Sequence, residues 1–323
     1  MSSNSNIIQL LQLLEQETDE NNILTMPQIK ARLEAVGIAG GLDRRTLGEQ
    51  LQTLADCGYD ISTYAENRKG YFLRTRSFED CEIRFLIDSV ATSKSIPISQ
   101  RKSLIAKLAR LNTKKFKGAL ASVQFLTENF AQNPDLFLNI ELVEEAISTH
   151  RLLAFSSCNW GADKKLHANY NGKLFTVTPY KMVMQNHKYY LICNYEGHDG
   201  LSHIRLDRMM NVSVSEKAAA PPTLDWHGYI TEHPYMYSGK GEVATLCINC
   251  DIIGDVLDTF GANVTFSGKQ SETVNVTVKA NLQALAYWAV QYGTKCEVLT
   301  PLLLRKEVAE MAQKIAEKYA QHD

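Results

Sequence analysis

The stretch VTPYKMVMQNHKYYLICNYEGHDGLSHIRLDRM, residues 177–209, decides how the chain is read. Within it, Lys188 to Asn194 and Leu201 to Leu206 are rich in β-branched and aromatic residues, and Gly, Asn, His and Asp separate them. Leu174 to Val177, just before, has the same character. Runs of this kind between turn-formers read as short strands, and the β pattern extends from Leu152 to Val214. Side chains alternate along a strand, so Arg205 and Asp207 are expected on one face, with Ile204 and Leu206 on the other. Two readings of Arg205 follow. Its guanidinium can fork two N–H bonds onto a phosphate, or it can pair structurally with Asp207.

Working outward, the first 76 residues read as helical. Ile7, Leu10, Leu11 and Leu14 recur at helical spacing. Thr25 followed by Pro27 opens a second helix carrying Ile29, Leu33 and Val36. Asp43 caps a third, whose core face is Leu47, Leu51 and Leu54. Two short strands, Tyr59 to Tyr64 and Tyr71 to Thr75, flank a hairpin loop from Ala65 to Gly70. Residues 77–140 read as a helical connector broken at Pro97, with Leu104, Leu108 and Leu111 as a stripe. Val143 and Ile147 mark another short helix. Beyond the β-rich residues 141–217, Pro221-Pro222 interrupts regular structure and marks a linker over 218–240. Residues 241–323 alternate strand and helix: Glu242 to Asn249, Ile252 to Phe260, Thr273 to Lys279, Asn281 to Tyr292, Lys295 to Leu299, and a final helix from Pro301 to Tyr319. That order predicts a small α+β sandwich.

A length of 323 residues predicts two or three domains. Hydrophobic residues at 45% and charged residues at 22% exclude a largely disordered chain. The net charge of -2 excludes a uniformly basic nucleic-acid coat but not local basic patches. One such patch runs from Ser89 to Thr127, with Lys94, Arg101, Lys102, Lys107, Arg110, Lys114, Lys115 and Lys117 and no acid. No apolar run approaches the ~20 residues of a membrane-spanning helix. No signal peptide is evident, and seven scattered cysteines suit a reducing cytoplasm. Cys247 and Cys250 have CxxC spacing but no second ligand pair, so no zinc site is expected. No GxSxG, P-loop or GxGxxG occurs. Neither catalysis nor a cofactor is expected.

Three short helices followed by a two-stranded hairpin is the plan of a winged helix-turn-helix. Asp43-Arg44-Arg45-Thr46-Leu47, with Leu51, Leu54 and Gly58-Tyr59-Asp60-Ile61, resembles the amino-terminal domain of bacterial WYL-domain transcriptional regulators. Val177-Thr178-Pro179-Tyr180, Tyr189-Tyr190-Leu191 and Ile204-Arg205-Leu206-Asp207-Arg208-Met209 resemble the WYL signature, with Tyr189 at the place of Trp. Val256 to Gly261, Trp288, Tyr292-Gly293 and Glu297 to Pro301 resemble the WCX extension of that family. The resemblance spans roughly residues 5–320. It implies an α+β multidomain chain: a winged helix-turn-helix over 1–76, a helical connector, an Sm-like β-barrel (the WYL domain) and a C-terminal α+β WCX domain. It also implies a homodimeric, cytoplasmic, DNA-binding regulator whose WYL domain senses a nucleotide or short single-stranded nucleic acid.

On that reading, Arg44, Arg45, Thr46 and Gln52 face a double-stranded operator from the third helix. Arg68 and Lys69, with Arg74 and Arg76, form a basic wing set on phosphates. The ligand residues are Arg205 and Arg208, joined by Tyr180, Lys181, His187, Tyr190 and His203 for stacking and charge. Glu49 places a negative charge where phosphate approaches, and Gly48 costs about 1 kcal/mol of helix propensity. These two residues support an alternative, an accessory module with weakened operator recognition that binds nucleic acid or protein.

Overall fold

The computed structural model describes residues 3–37, 43–76, 78–111, 132–198, 200–219 and 226–320. The chain is mixed α+β and divides into two compact units, Met1–Phe130 and Ala131–Asp323. Among the described residues, no helix is long and apolar enough to cross a membrane.

The first unit opens with α1 (Ser3–Glu17), α2 (Met26–Ala35) and α3 (Arg44–Asp56). Thr25 and Gln28 form a capping box that starts α2, with Pro27 in its first turn. Asp43 accepts the Thr46 backbone N–H at 2.7 Å and starts α3. Leu10, Leu14, Ile29, Leu33, Leu47, Leu51 and Leu54 meet in one core. The ribbon of β1 (Ile61–Ser62) and β2 (Phe72–Leu73) is antiparallel and closes that core with Ile61 and Leu73. It is shorter than the sequence suggests. Thr63 and Glu66 form a second capping box, which turns the chain into the one-turn helix α4 (Tyr64–Asn67). Gly70 lies where a Cβ would sit 2.4 Å from the Leu24 carbonyl oxygen, so only glycine lets Tyr71 bridge to Leu24.

Helices α5 (Asp80–Thr92) and α6 (Ile98–Leu108) follow, α6 starting after Pro97. The expected stripe of Leu104, Leu108 and Leu111 is rotated: Arg101, Ile105 and Ala109 are buried, and Leu111 is 52% exposed. The cause is Arg101, whose guanidinium donates to the carbonyls of Ala91 and Ile96, both at 3.1 Å, where α5 ends. Lys114, Lys115 and Lys117 of the acid-free run lie outside the described residues, as do Pro221 and Pro222.

In the second unit, α7 (Leu136–Ser148) precedes β3 (Arg151–Trp160), β4 (Leu166–Ala168), β5 (Leu174–Gln185), β6 (Lys188–Tyr195), β7 (Ser202–Arg205) and β8 (Met209–Ala218). The antiparallel order is β8-β3-β5-β6-β7, with β4 paired to the far end of β3. Ladder irregularities in β3 and β5 bend the sheet, the one in β5 falling at Tyr180. A 3₁₀ turn, Leu206–Arg208, joins β7 to β8. Leu136 and Val143 of α7 cover the inner face with Leu153, Phe155, Val177, Leu191, Cys193 and Leu206.

A short helix α8 (Trp226–Thr231) lies inside the stretch read as linker. Then come β9 (Glu242–Asn249), α9 (Ile253–Phe260), β10 (Thr265–Ser267), β11 (Thr273–Ala280), α10 (Leu282–Tyr292), β12 (Cys296–Thr300) and α11 (Leu302–Ala320). The order β10-β11-β9-β12 with β-α-β-β-α-β connections is the ferredoxin-like arrangement. Trp288, 1% exposed, packs between Phe260 and Tyr292 in its core.

Candidate functional site

The sheet of the second unit has an outer face as well as a core face. The β5–β6–β7 register lays Lys181, Ile192 and His203 in one row and Val183, Tyr190 and Arg205 in the next. Lys188, opposite Gln185, ends the face beside the Asn186-His187 turn. Both turn residues have positive φ, 49° and 59°, as a tight two-residue hairpin demands.

The charges gather at this end. Asp207 is 5% exposed and receives a two-pronged contact from Arg205, Nε to Oδ1 at 2.9 Å and Nη2 to Oδ2 at 2.6 Å. Lys188 Nζ lies 3.4 Å from Oδ2. Arg208 is exposed on the same turn and makes no hydrogen bond or ion pair with a described residue. Lys188 and Arg205 thus contact one carboxylate, and Arg208, next to Asp207 in the chain, adds a third cation close enough to repel Lys188. Burial works against the Asp207 carboxylate. The Arg205 hydrogen bonds and charge, helped by Lys188, outweigh it and hold its pKa below the usual value. Burial lowers the Lys188 pKa, and repulsion from Arg205 and Arg208 adds to that against the pull of Asp207.

The Arg205–Asp207 pair is real, but strand alternation does not make it. β7 ends at Arg205, and the 3₁₀ turn swings Asp207 back beneath the guanidinium. Two buried asparagines fix that turn. Asn139 donates to the carbonyls of Leu206 at 3.0 Å and Met209 at 3.1 Å, and Asn133 donates to Met209 at 3.0 Å. Sequence reading missed Asn133, Asn139 and the role of Lys188. The available signal was Asn139 itself, a polar residue in the buried helical stripe Leu136, Asn139, Val143, Ala146.

The other expected ligand residues divide. Tyr190 pairs directly with Arg205 across β6 and β7. Burial pushes its hydroxyl pKa up. Lys181 is exposed in the neighbouring row, Tyr180 sits at the bend in β5, and His187 is exposed in the turn. His203 turns instead toward the chain that follows the sheet. Its Nδ1–H donates to the Met236 carbonyl at 3.0 Å, and the Tyr229 hydroxyl donates to Nε2 at 2.8 Å. Burial drives its pKa down to about 4, so the ring is neutral at pH 7. Val183, Ile192 and Met236 are buried together there with Tyr190, Trp226, Tyr229 and Ile230 packed around them. The second half of the expected linker is therefore a cover on the outer face. It is tied on its other side to the ferredoxin-like part through Asn281 Nδ2 to the Ser238 carbonyl at 3.0 Å and a Tyr237–Tyr287 stack at 5.8 Å.

In the first unit, Arg44, Arg45 and Gln52 are exposed on α3, and Thr46 contributes its backbone N–H to the Asp43 cap. Arg45 pairs with Glu49 at 2.9 Å, and Gln52 donates to Asp56 at 2.8 Å. Arg68 and Lys69 are exposed at the tip of the ribbon. Arg74 is held by Asp60 at 2.7 Å and Glu66 at 2.5 Å. Arg76 donates to the backbone carbonyls of Glu15 and Thr18. Two of the four expected wing cations are thus engaged in holding the unit together.

Residues 139–214 match the WYL domain and residues 244–316 the WCX domain. The chain thus carries a WYL domain followed by a WCX domain. Among solved structures, it is similar to proteasome accessory factor B/C (PafBC) of Arthrobacter aurescens at 16% identity and a TM-score of 0.28. That match covers 97% of this chain and 47% of that one, so the chain spans about half the length of this relative. A CRISPR Cas-related protein matches at 14% identity and a TM-score of 0.36, covering 98% of this chain and 86% of that one. A search of curated proteins finds no match.

Proposed function

We propose that this chain is a homodimeric, cytoplasmic transcriptional regulator. On this reading its first 76 residues form a winged helix-turn-helix that binds a double-stranded operator. Its WYL domain, an Sm-like barrel, senses a nucleotide or short single-stranded nucleic acid, and no catalytic step is involved. The observation that carries the sensing role is the group Lys188, Arg205 and Arg208, the first two on Asp207 and the third next to it in the chain, flanked by Tyr190. Arg205 and Lys188 are partly neutralised and held in place, while Arg208 keeps its donors for a phosphate.

The test measures affinity for DNA upstream of the protein's own gene, with and without nucleoside phosphates and short oligonucleotides. Arg208→Ala is expected to cost roughly tenfold or more in ligand affinity, the worth of one charge-assisted bond. It is expected to leave ligand-free DNA binding and the melting temperature unchanged. An undiminished ligand response in that variant removes Arg208 from the site.

One observation favours the accessory-module reading. Asp43, Glu49 and Asp56 outnumber Arg44 and Arg45 on α3 and its cap, and Arg45 and Gln52 are already paired. Absence of any sequence preference for DNA, with ligand binding intact, selects that reading.

A further inference from the structure

The loop that follows α8 turns on one buried ring. His233 is 1% exposed, and both of its ring nitrogens lie against backbone carbonyl oxygens, Nδ1 2.6 Å from that of Tyr229 and Nε2 2.7 Å from that of Gly239. A carbonyl oxygen only accepts, and a neutral imidazole has a single N–H to give. Both contacts are hydrogen bonds only when the ring carries two protons and a positive charge. Its surroundings suit that charge. The Tyr229 ring stacks on it at 4.2 Å and presents a π face to the cation. His203 of β7 meets it edge-on at 5.2 Å and is neutral, and charge on His233 opposes a second charge there. On its own loop the other ionisable side chains are Glu232, Tyr235, Tyr237 and Lys240, and Glu232 is paired with Lys279 of β11 at 2.5 Å.

The two bonds fasten the loop at both ends. Between them, Met236 is 5% exposed and packs on Val183 and Ile192 with a left-handed φ of 55°, a conformation costly for its side chain. Its carbonyl is the acceptor of the His203 ring.

We propose that His233 is held as an imidazolium and makes residues 233–239 a pH-sensitive latch on the outer face of the β5–β6–β7 sheet. While the ring is protonated, the latch is fastened. Loss of a proton sets a nitrogen lone pair against a carbonyl oxygen at one of the two contacts, which then repels. The loop gives up that contact, and the strain at Met236 is released with it. The fastened loop keeps the proton, and the open loop yields it to solvent. Fastening is therefore favoured at low pH and lost as pH rises, and one proton changes the opening constant by at most about tenfold per pH unit. His203 acts in the opposite sense and only in acid, since its pKa is about 4. The latch stands whether or not the Arg205 cluster senses a ligand.

The test is nitrogen NMR of the histidine side chains in the full chain, joined to hydrogen exchange of the loop amides. At about pH 6, within the ordinary histidine range, His233 is expected to show two N–H nitrogens, and His203 one N–H and one bare nitrogen. Each ring is assigned by correlation with its own backbone. From about pH 6 to about pH 8.5, protection of the 229–239 amides, corrected for the intrinsic pH dependence of exchange, is expected to fall roughly tenfold or more. His233→Gln does not titrate and is expected to lose that slope. Tyr229→Phe keeps the aromatic face and is expected to keep it. A single N–H on His233 at the lower pH overturns the proposal, and so does flat protection in the wild type. Retention of the wild-type slope in His233→Gln assigns the titration to another group and overturns it as well. The nitrogen signals and the slope are both read in the wild type, so the test holds even where His233→Gln fails to fold.

Discussion

Arg205 shows how one side chain can serve both readings that its sequence leaves open. Its two bonds to Asp207 make it structural, and its partial exposure, 24% of the side chain, leaves it able to meet an anion. Removing it leaves a buried carboxylate with only Lys188. Arg205→Ala is therefore expected to destabilise the second unit by about 1–3 kcal/mol, by analogy with an unpaired buried group. Denaturant unfolding measures this, and an unchanged midpoint places Arg205 outside the structural network. Gly48 poses the reverse case. It has ordinary helical backbone, and nothing lies within 4 Å of where a Cβ would be. Gly48→Ala is expected to stabilise the first unit by about 0.5–1 kcal/mol. If its DNA affinity falls while its melting temperature rises, the missing side chain is there to let a groove approach.

At the scale of elements, α3 was legible because its cap and its core face lie within twelve residues of each other. Asp43 and the Leu47, Leu51, Leu54 spacing fix its start and its buried side by local rules. The strands and helices of the WCX part were legible for the same reason, except β10, which is three exposed residues paired only to β11. What was not legible arises from register and long-range pairing. Lys188 meets Asp207 because β6 and β7 are neighbours, and Asn139 meets the 206–209 turn across a gap of about seventy residues that no spacing rule reports. Asn139→Ala is expected to cost about 1–3 kcal/mol by leaving turn carbonyls less satisfied. Asn139→Asp retains the side-chain shape but offers no donor, and is expected to be at least as costly. Chemical denaturation checks both. His203 adds a pH dependence. Its folded pKa of about 4 lies below the ordinary value near 6.5, so between these values the unfolded chain binds a proton that the folded one excludes. The stability it provides is complete above pH 6.5 and is lost as pH falls toward 4. A denaturation series from pH 7 to pH 4.5 is expected to show this slope, and His203→Gln is expected to flatten it.

For the whole molecule, the proposed regulator reads two half-sites, which calls for two copies of the chain. Light scattering is then expected to give a mass near twice 36.3 kDa. A monomer at micromolar concentration, with and without DNA, contradicts the dimer and with it the symmetric-operator reading. Neither formal charge nor composition decides this matter, since a net charge of -2 is compatible with both states.

The cover over the sheet's outer face has a consequence for how the molecule comes apart. By sequence likeness the WYL domain ends at residue 214, yet its His203, Gln185 and Asn186 side chains are satisfied by atoms at 229–236. The cooperative unit that resists hydrogen exchange should therefore run past the domain border and include residues 226–236. A fragment cut at 217 is expected to expose Val183, Tyr190 and Ile192, to exchange amides across β6 and β7 within the dead time of labelling, and to aggregate. A fragment that keeps residues 226–241 is expected to retain protection.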